Sequence, residues 1–259
     1  KMFLSILPAG GFKDNNLETK LRMNKTTLVF SIGQGWGNGV VVHNDQIALK
    51  RIIKSVEPLR QKYKVYLLLN PMVADKNKLE AVLDTLAQSE TPFVFDVYSS
   101  DTITLGSCGQ QNAPYDPAHG ISISIQQLEQ YKQKYGNALA GIRFMEVLAE
   151  DFTVRAVKTT NPEWALPCWK RNLPQDDFFQ PALVEPFLKF AKDKGMFVQW
   201  SDWHWFEFAA WDLPQKGKEE QLAQILQKYP GNVIVTYANN EPEEHSVQRL
   251  SYWEKAVEK

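Results

Sequence analysis

The sequence is poor in cysteine and lacks the spacings that would make its cysteines structural. Its two cysteines, Cys108 and Cys168, lie far apart and belong to no metal-binding motif. We interpret them as two thiols, with a disulfide between them as the alternative. A chain of 259 residues can bury a hydrophobic core without such cross-links.

An excess of charge of one sign is also absent. The chain has 29 Lys and Arg against 30 Asp and Glu, and the longest basic cluster is Lys50-Arg51 with Lys54, which fits a solvated helix face. No basic patch is available to neutralise phosphates, so nucleic acid and anionic membranes are not expected as partners. No apolar run approaches the ~18 residues of a membrane span, so none is expected.

One pattern recurs along the chain and indicates a parallel α/β sheet. A helix rich in Lys, Glu and Gln ends near Gly or Pro, and a short run rich in Val, Ile and Phe follows. Continuous apolar runs are typical of parallel strands covered on both faces. Seven runs are predicted to be strands: Phe3–Leu7, Leu28–Ile32, Val65–Leu69, Phe93–Val97, Gly141–Met145, Phe197–Trp200 and Val233–Tyr237. We therefore expect the α/β class and a (β/α)8 TIM-like barrel, either complete or truncated, because a full barrel needs an eighth strand.

The helices between these runs are also legible in the sequence. The spacing predicts Ile47–Val56, Lys78–Ala87 after the N-cap Asp75, Ile125–Tyr135 before Gly136, Leu183–Lys194 before Gly195, Glu219–Lys228 and Ser251–Val257. Two long insertions, Ser99–Gly120 and Val147–Pro181, follow strands. Barrels build their binding sites from loops of this length on the carboxyl side of the strands.

Three consecutive predicted strands are each followed by a carboxylate. These are Glu146, Asp202 and Glu241, the last within Asn-Glu-Pro. Catalytic groups of α/β barrels stand at the carboxyl ends of strands, and a glycosidic bond is cut by a pair of carboxyl groups. The alternative is that such a residue caps the next helix. The coincidence at three strand ends favours the catalytic interpretation.

Aromatic and polar side chains gather in the same places. Aromatic rings stack on the flat faces of sugar rings, and amides bind sugar hydroxyls. The predicted substrate-binding residues are Gln34, Trp36, Asn38, Trp203, His204, Trp205, Asn239 and Asn240, with Asn70 as a further polar group at a strand end. Core packing is the alternative for tryptophans and is the expectation for Trp200. Surface turns are the alternative for asparagines.

Other chemistries lack their motifs. Gly33–Gly39 has no Lys-Ser/Thr and is not a phosphate loop, and no Gly-x-Ser-x-Gly elbow is present. Asp202 and His204 could be metal ligands, but no third ligand with recognisable spacing appears. We expect no metal and no cofactor, and a metal-dependent barrel hydrolase remains an alternative.

The second half of the chain resembles glycoside hydrolase family 98. The likeness is carried by Tyr135-Gly136 before Ala140–Glu146, by Phe190–Trp203, and by the stretch from Leu222 through Tyr229 to Glu241. The resemblance implies an endo-acting, inverting barrel with Glu146 as the acid and Asp202 with Glu241 as the base. It also implies endo-β-galactosidase action on blood-group glycans or endo-xylanase action. Glu241 stands further past its strand than in the family, so Glu243 or Glu244 could replace it.

The sequence therefore predicts one catalytic barrel domain over residues 1–259, acting on a polysaccharide or complex glycan. The alternative outside catalysis is a glycan-binding barrel that keeps the aromatic cleft. We expect a monomer. The chain begins at Lys1, and we expect that an export signal has been removed, which corresponds to a secreted, periplasmic or cell-surface location.

Overall fold

Seven parallel strands form a closed barrel in sequential order, β1 to β7. The structure is a computed structural model, and it describes residues 3–6, 27–33, 39–72, 75–98, 121–145, 181–201, 216–230, 233–238 and 255. The strands are β1 Phe3–Ile6, β2 Thr27–Gly33, β3 Lys64–Leu69, β4 Phe93–Tyr98, β5 Leu139–Met145, β6 Phe197–Ser201 and β7 Val233–Ala238. The predicted parallel, sequential arrangement is confirmed.

The first and last strands close the barrel. Phe3 pairs with Thr236 and Ser5 with Ala238, both in parallel register. Because β1 bonds directly to β7, the described residues form a barrel of seven strands rather than the eight of a complete TIM barrel. Parallel strands bury both faces, which explains why these segments are nearly continuous apolar runs.

Helices connect most of the strands. They are α1 Gly39–Val42, α2 Gln46–Arg60, α3 Lys76–Gln88, α4 Ile125–Tyr135, α5 Glu185–Asp193 and α6 Lys216–Gln227. The predicted caps are present: Asp75 accepts a hydrogen bond from Lys78 N at the start of α3, and Gly136 and Gly195 follow helices with φ of 54° and 63°. The predicted last helix lies outside the described residues except for Lys255, which is helical. Among the described residues no helix is both long and apolar enough to cross a bilayer.

Two helix ends differ from the prediction because of proline. Helix α2 continues through Pro58 to Arg60, although the predicted helix ended at Val56. Pro58 lies in the last turn, where it removes one hydrogen bond without stopping the helix. Helix α5 begins at Glu185 rather than Leu183, after a 3-10 turn at Pro181–Leu183, and Pro186 occupies its first turn. Proline is tolerated there because the first N–H groups have no partner within the helix.

Strand alternation divides the core into two parts. Residues on the outer face of the strands pack against the helices, as Phe144 of β5 does with Phe187 of α5, their ring centroids 5.9 Å apart. Trp200 is 1% exposed, which confirms the core assignment made from the sequence. A smaller cluster of Val29, Leu68 and Val94 lies on the inner face, with Tyr66 and Phe197 packed against it.

Gly141 marks a close approach between β5 and β6 inside the barrel. A Cβ atom at this position would lie 2.8 Å from the backbone O of Phe197 and 2.9 Å from carbons of its ring. Gly141 and Phe197 are register partners on β5 and β6. A residue without a side chain is therefore needed where the Phe197 ring turns into the barrel.

Candidate active site

The carboxyl ends of β5, β6 and β7 meet at one rim of the barrel. Met145 pairs with Ser201, and Ser201 pairs with Thr236, two residues before the end of β7. Neighbouring strands lie about 4.8 Å apart, so the three ends are adjacent. The carboxylates predicted to be catalytic come next in the sequence: Glu146 follows Met145, Asp202 follows Ser201, and Glu241 comes three residues after Ala238.

The predicted site residues themselves lie outside the described residues, and their side-chain arrangement stays a prediction. The predicted catalytic residues are Glu146, Asp202 and Glu241. The predicted substrate-binding residues are Gln34, Trp36, Asn38, Trp203, His204, Trp205, Asn239 and Asn240. Both cysteines and most of the two long insertions also lie outside the described part.

Polar side chains form the barrel interior below this rim. On β2, β3 and β4 the buried apolar residues Val29, Leu68 and Val94 are each followed, two positions later, by a buried polar residue. Residues two apart on a strand share a face, so the interior changes from apolar to polar towards the carboxyl ends. We call these residues the polar floor: Ser31, Asn70, Asp96, Arg143 and Gln199, all at most 1% exposed.

An ion pair between neighbouring strands is the centre of the polar floor. Arg143 Nε donates to Asp96 Oδ1 at 3.1 Å, and Arg143 Nη2 donates to Asp96 Oδ2 at 3.0 Å. The two residues are register partners on β4 and β5, and Gln199 is the partner of Arg143 on β6. This two-point geometry fixes both side chains, and charged hydrogen bonds of this kind are stronger than neutral ones.

Two side chains, Asn70 of the polar floor and Ser122 beside it, connect the polar floor to the loops that follow the strands. Asn70 Oδ1 accepts a hydrogen bond from Met72 N at 2.9 Å and so closes the turn after β3. The Ser122 hydroxyl donates to the backbone O of Asp96, and Ser122 N donates to Val97 O at 3.0 Å. The sequence suggested Asn70 as a polar group that could bind a sugar, and in the structure its side-chain oxygen forms this turn.

Sequence reasoning missed the Asp96–Arg143 pair. A signal was available, because a charged residue within an apolar run must be paired when both faces of the strand are buried. Phe93–Val97 and Gly141–Met145 each contain one such residue, of opposite sign. The partner could be chosen only once the register of β4 against β5 was known.

A second group of charges lies outside the barrel, between α3 and α4. A groove of about 400 Å³ is lined there by Pro71, Lys76, Leu79, Glu80, Ile123, Gln127, Gln130, Tyr131 and Lys134. Lys134 Nζ lies 2.8 Å from Glu80 Oε2, and this hydrogen bond raises the pKa of Lys134. Tyr135 donates to Asp84 Oδ1 at 2.8 Å, and burial raises its pKa. Both groups keep their protons at neutral pH, so this cluster fits a structural role between helices.

Metal ligation has no support in the described part of the chain. The residues described there hold no group of three or more His, Cys, Asp or Glu side chains that could bind a metal ion.

Comparisons with known proteins give no family. No family model matches the chain, and no curated protein matches it. Among solved structures, the catalytic domain of β-amylase from Paenibacillus polymyxa aligns with a TM-score of 0.43 and 9% identity, over 100% of this chain and 97% of that one. A triazine hydrolase variant aligns with a TM-score of 0.38 and 12% identity, over 88% of this chain and 54% of that one. Both TM-scores are below 0.5, so neither likeness carries an argument about the function of this chain.

Proposed function

We propose that this chain is an endo-acting glycoside hydrolase that inverts the configuration of its substrate. The observation that carries the proposal is the shared rim of β5, β6 and β7. Met145, Ser201 and Ala238 end three adjacent parallel strands, and each end is followed within three residues by a carboxylate. Two carboxyl groups that face one bond are the minimal machinery for cleaving a glycoside.

The proposed roles are those that the resemblance to glycoside hydrolase family 98 implies for these three positions. Glu146, after β5, is the general acid that protonates the leaving oxygen. Asp202, after β6, and Glu241, after β7, form the base side and activate a water molecule on the opposite face of the sugar. In an inverting enzyme the acid and base carboxyls are about 6.5–9.5 Å apart, which leaves room for that water. A spacing of about 5–5.5 Å corresponds to a retaining enzyme with a covalent intermediate.

The proposed substrate groove extends from this rim across the end of β1 to the end of β2. Gly33 ends β2, and only β1 separates β2 from β7. Gln34, Trp36 and Asn38 follow Gly33 in the sequence, while Trp203, His204 and Trp205 follow β6. We expect a groove that joins these points to hold several sugar units, which fits attack within a chain rather than at its end.

The substrate class is proposed from the resemblance to glycoside hydrolase family 98. Xylans and blood-group glycans are the first substrates to test. Residues 1–259 are proposed to form one catalytic barrel domain, and an extracellular or cell-surface location fits polymeric substrates of this kind.

The test is activity on xylan and on blood-group glycans, followed by Glu146→Gln. This substitution keeps the shape of the side chain and removes the proton source. We expect turnover to fall by at least about 10²-fold while binding persists. The loss should be much smaller on an aryl glycoside whose leaving group departs without protonation. The matched control is Glu220→Gln, a substitution on an exposed position of α6, which should leave turnover unchanged.

Two results would contradict the proposal. Full activity of Glu146→Gln would remove the acid from its assigned position. A wild-type chain that binds these glycans without cleaving them would support the glycan-binding barrel instead.

A further inference from the structure

The interior of the barrel changes from apolar to polar at one level, and the fold does not require that change. Below this level Val29, Leu68 and Val94 form an apolar layer, against which Tyr66 and Phe197 pack. Above it, two residues further along each strand, lie Ser31, Asn70 and Asp96. An apolar layer at the second level would pack the barrel equally well, as in many barrels whose layers are mainly branched aliphatic residues.

The Asp96–Arg143 pair is the most expensive part of the polar floor to bury. Its side chains are 0% and 1% exposed. Removing two charges from water has a large desolvation penalty, and replacement of such a pair by apolar residues of similar volume is often neutral or stabilising. The stability of the barrel therefore does not explain why a charged pair occupies this position.

The position of the pair coincides with an irregularity between β4 and β5. The two strands pair regularly from Val94 to Asp96, and the register then shifts between Asp96 and Tyr98. Irregularities of this kind occur next to active sites, where they redirect side chains. The Arg143 side chain thus joins β4 to β5 at the last regular pair before the rim, three residues ahead of Glu146.

We propose that the Asp96–Arg143 pair is a positioning device that fixes the rim of β5, and hence the acid Glu146, for turnover. The inference rests on the proposed function. The pair touches no reacting atom in this scheme. It acts by holding β4 and β5 together where their backbone pairing becomes irregular, and Gln199 extends the same row to β6, the strand that precedes Asp202.

The test is the double variant Asp96→Leu/Arg143→Met, which removes both charges and keeps an apolar, filled interior. We expect it to fold, as judged by circular dichroism and a cooperative thermal transition. On whichever of xylan or blood-group glycan the wild type cleaves, kcat should fall by about 10–100-fold, the scale of a small misplacement of a catalytic group. KM should change by less than about threefold, because binding groups are not removed.

Two further measurements separate positioning from a general effect of changing the interior. If the pair acts through Glu146, the loss should shrink on an aryl glycoside with a good leaving group, since that substrate needs no proton donor. The control variant Leu68→Met changes the apolar layer at nearly constant volume and should keep wild-type kcat on both substrates.

The outcomes are distinct. A folded double variant with wild-type kcat would overturn the inference and leave the proposed function intact. Equal losses on polysaccharide and aryl glycoside would also overturn it. If the double variant does not fold, Arg143→Lys, which keeps the charge but loses the two-point contact, is measured in the same way. Failure of both to fold would assign the pair to folding alone and overturn the inference, and an inactive wild type would overturn it together with the proposed function.

Discussion

Replacing Gly141 by alanine should destabilise the barrel through one defined collision. The new Cβ would lie 2.8 Å from Phe197 O and 2.9 Å from two carbons of the Phe197 ring, well inside van der Waals contact. Overpacking of this size typically destabilises by about 1–3 kcal/mol. For a chain of this length that corresponds to a fall in Tm of about 2–4 °C per kcal/mol. Urea denaturation followed by circular dichroism measures the change in the free energy of unfolding directly.

The second substitution Phe197→Leu should relieve only part of this penalty. Leucine removes the ring carbons, but the backbone O of Phe197 remains at 2.8 Å from the added methyl group. We therefore expect the double variant Gly141→Ala/Phe197→Leu to be more stable than the sum of the two single changes predicts. Gly195→Ala is the matched control, because its φ is +63° and no atom lies within 4 Å of the added Cβ. It should destabilise through backbone strain of about 1–2 kcal/mol, with no coupling to Phe197. Wild-type stability of Gly141→Ala, or additive effects with Phe197→Leu, would refute the close approach of β5 and β6.

Three further predictions follow from other parts of the chain. Asp96→Leu alone should lower the free energy of unfolding by about 3–5 kcal/mol in urea denaturation, because Arg143 is left buried without its carboxylate. The single variant should therefore be less stable than the double variant Asp96→Leu/Arg143→Met, and equal stability of the two would contradict this prediction. The hydrogen bond from Lys78 N lowers the pKa of Asp75 in the folded state. The ionised Asp75 side chain therefore stabilises the fold fully at pH values above the ordinary aspartate pKa, and this stabilisation is lost as the pH falls through the lowered pKa of the folded state. Thermal melts should thus find wild type more stable than Asp75→Asn at pH 7 but not at about pH 2, and a pH-independent difference would count against this. Alanine substitution of Trp36, Trp203 or Trp205 in the predicted groove should weaken oligosaccharide binding by about 1–3 kcal/mol in each case, as measured by calorimetry. Unchanged affinity of one of these variants would show that its tryptophan is not part of the groove.

The elements of the fold were predictable because their signals are local. Helix α4 was predicted with its observed ends, Ile125 and Tyr135, and Gly136 was the signal for its end. The structure adds a capping box of Ser124 and Gln127 at its start. The seven strands were found because buried parallel strands are short apolar runs. The end of α2 was missed because proline is a strong stop signal in the sequence, and only the tertiary context keeps Pro58 in the final turn.

The interior of the candidate site was not predictable in the same way. Asp96 and Arg143 are 47 residues apart, and their pairing depends on the register of two strands, which local patterns do not encode. Shifting one strand by a single residue would turn one of the two side chains towards the helices. The close approach at Gly141 likewise depends on which residue of β6 lies opposite it. The sequence located the rim where the site is proposed, whereas the pair beneath that rim required the three-dimensional structure.

The direct pairing of β1 with β7 has a consequence during synthesis. Phe3 meets its partner Thr236 only after roughly 230 further residues have been made. At about 5–20 residues per second, β1 is without its final neighbour for roughly 10–50 s. Throughout that time one side of the nascent sheet carries unpaired N–H and C=O groups, the condition that favours association between chains. A chain shortened before Val233 would keep two such sides permanently, on β1 and on β6, and we expect it to aggregate rather than to persist as a smaller barrel.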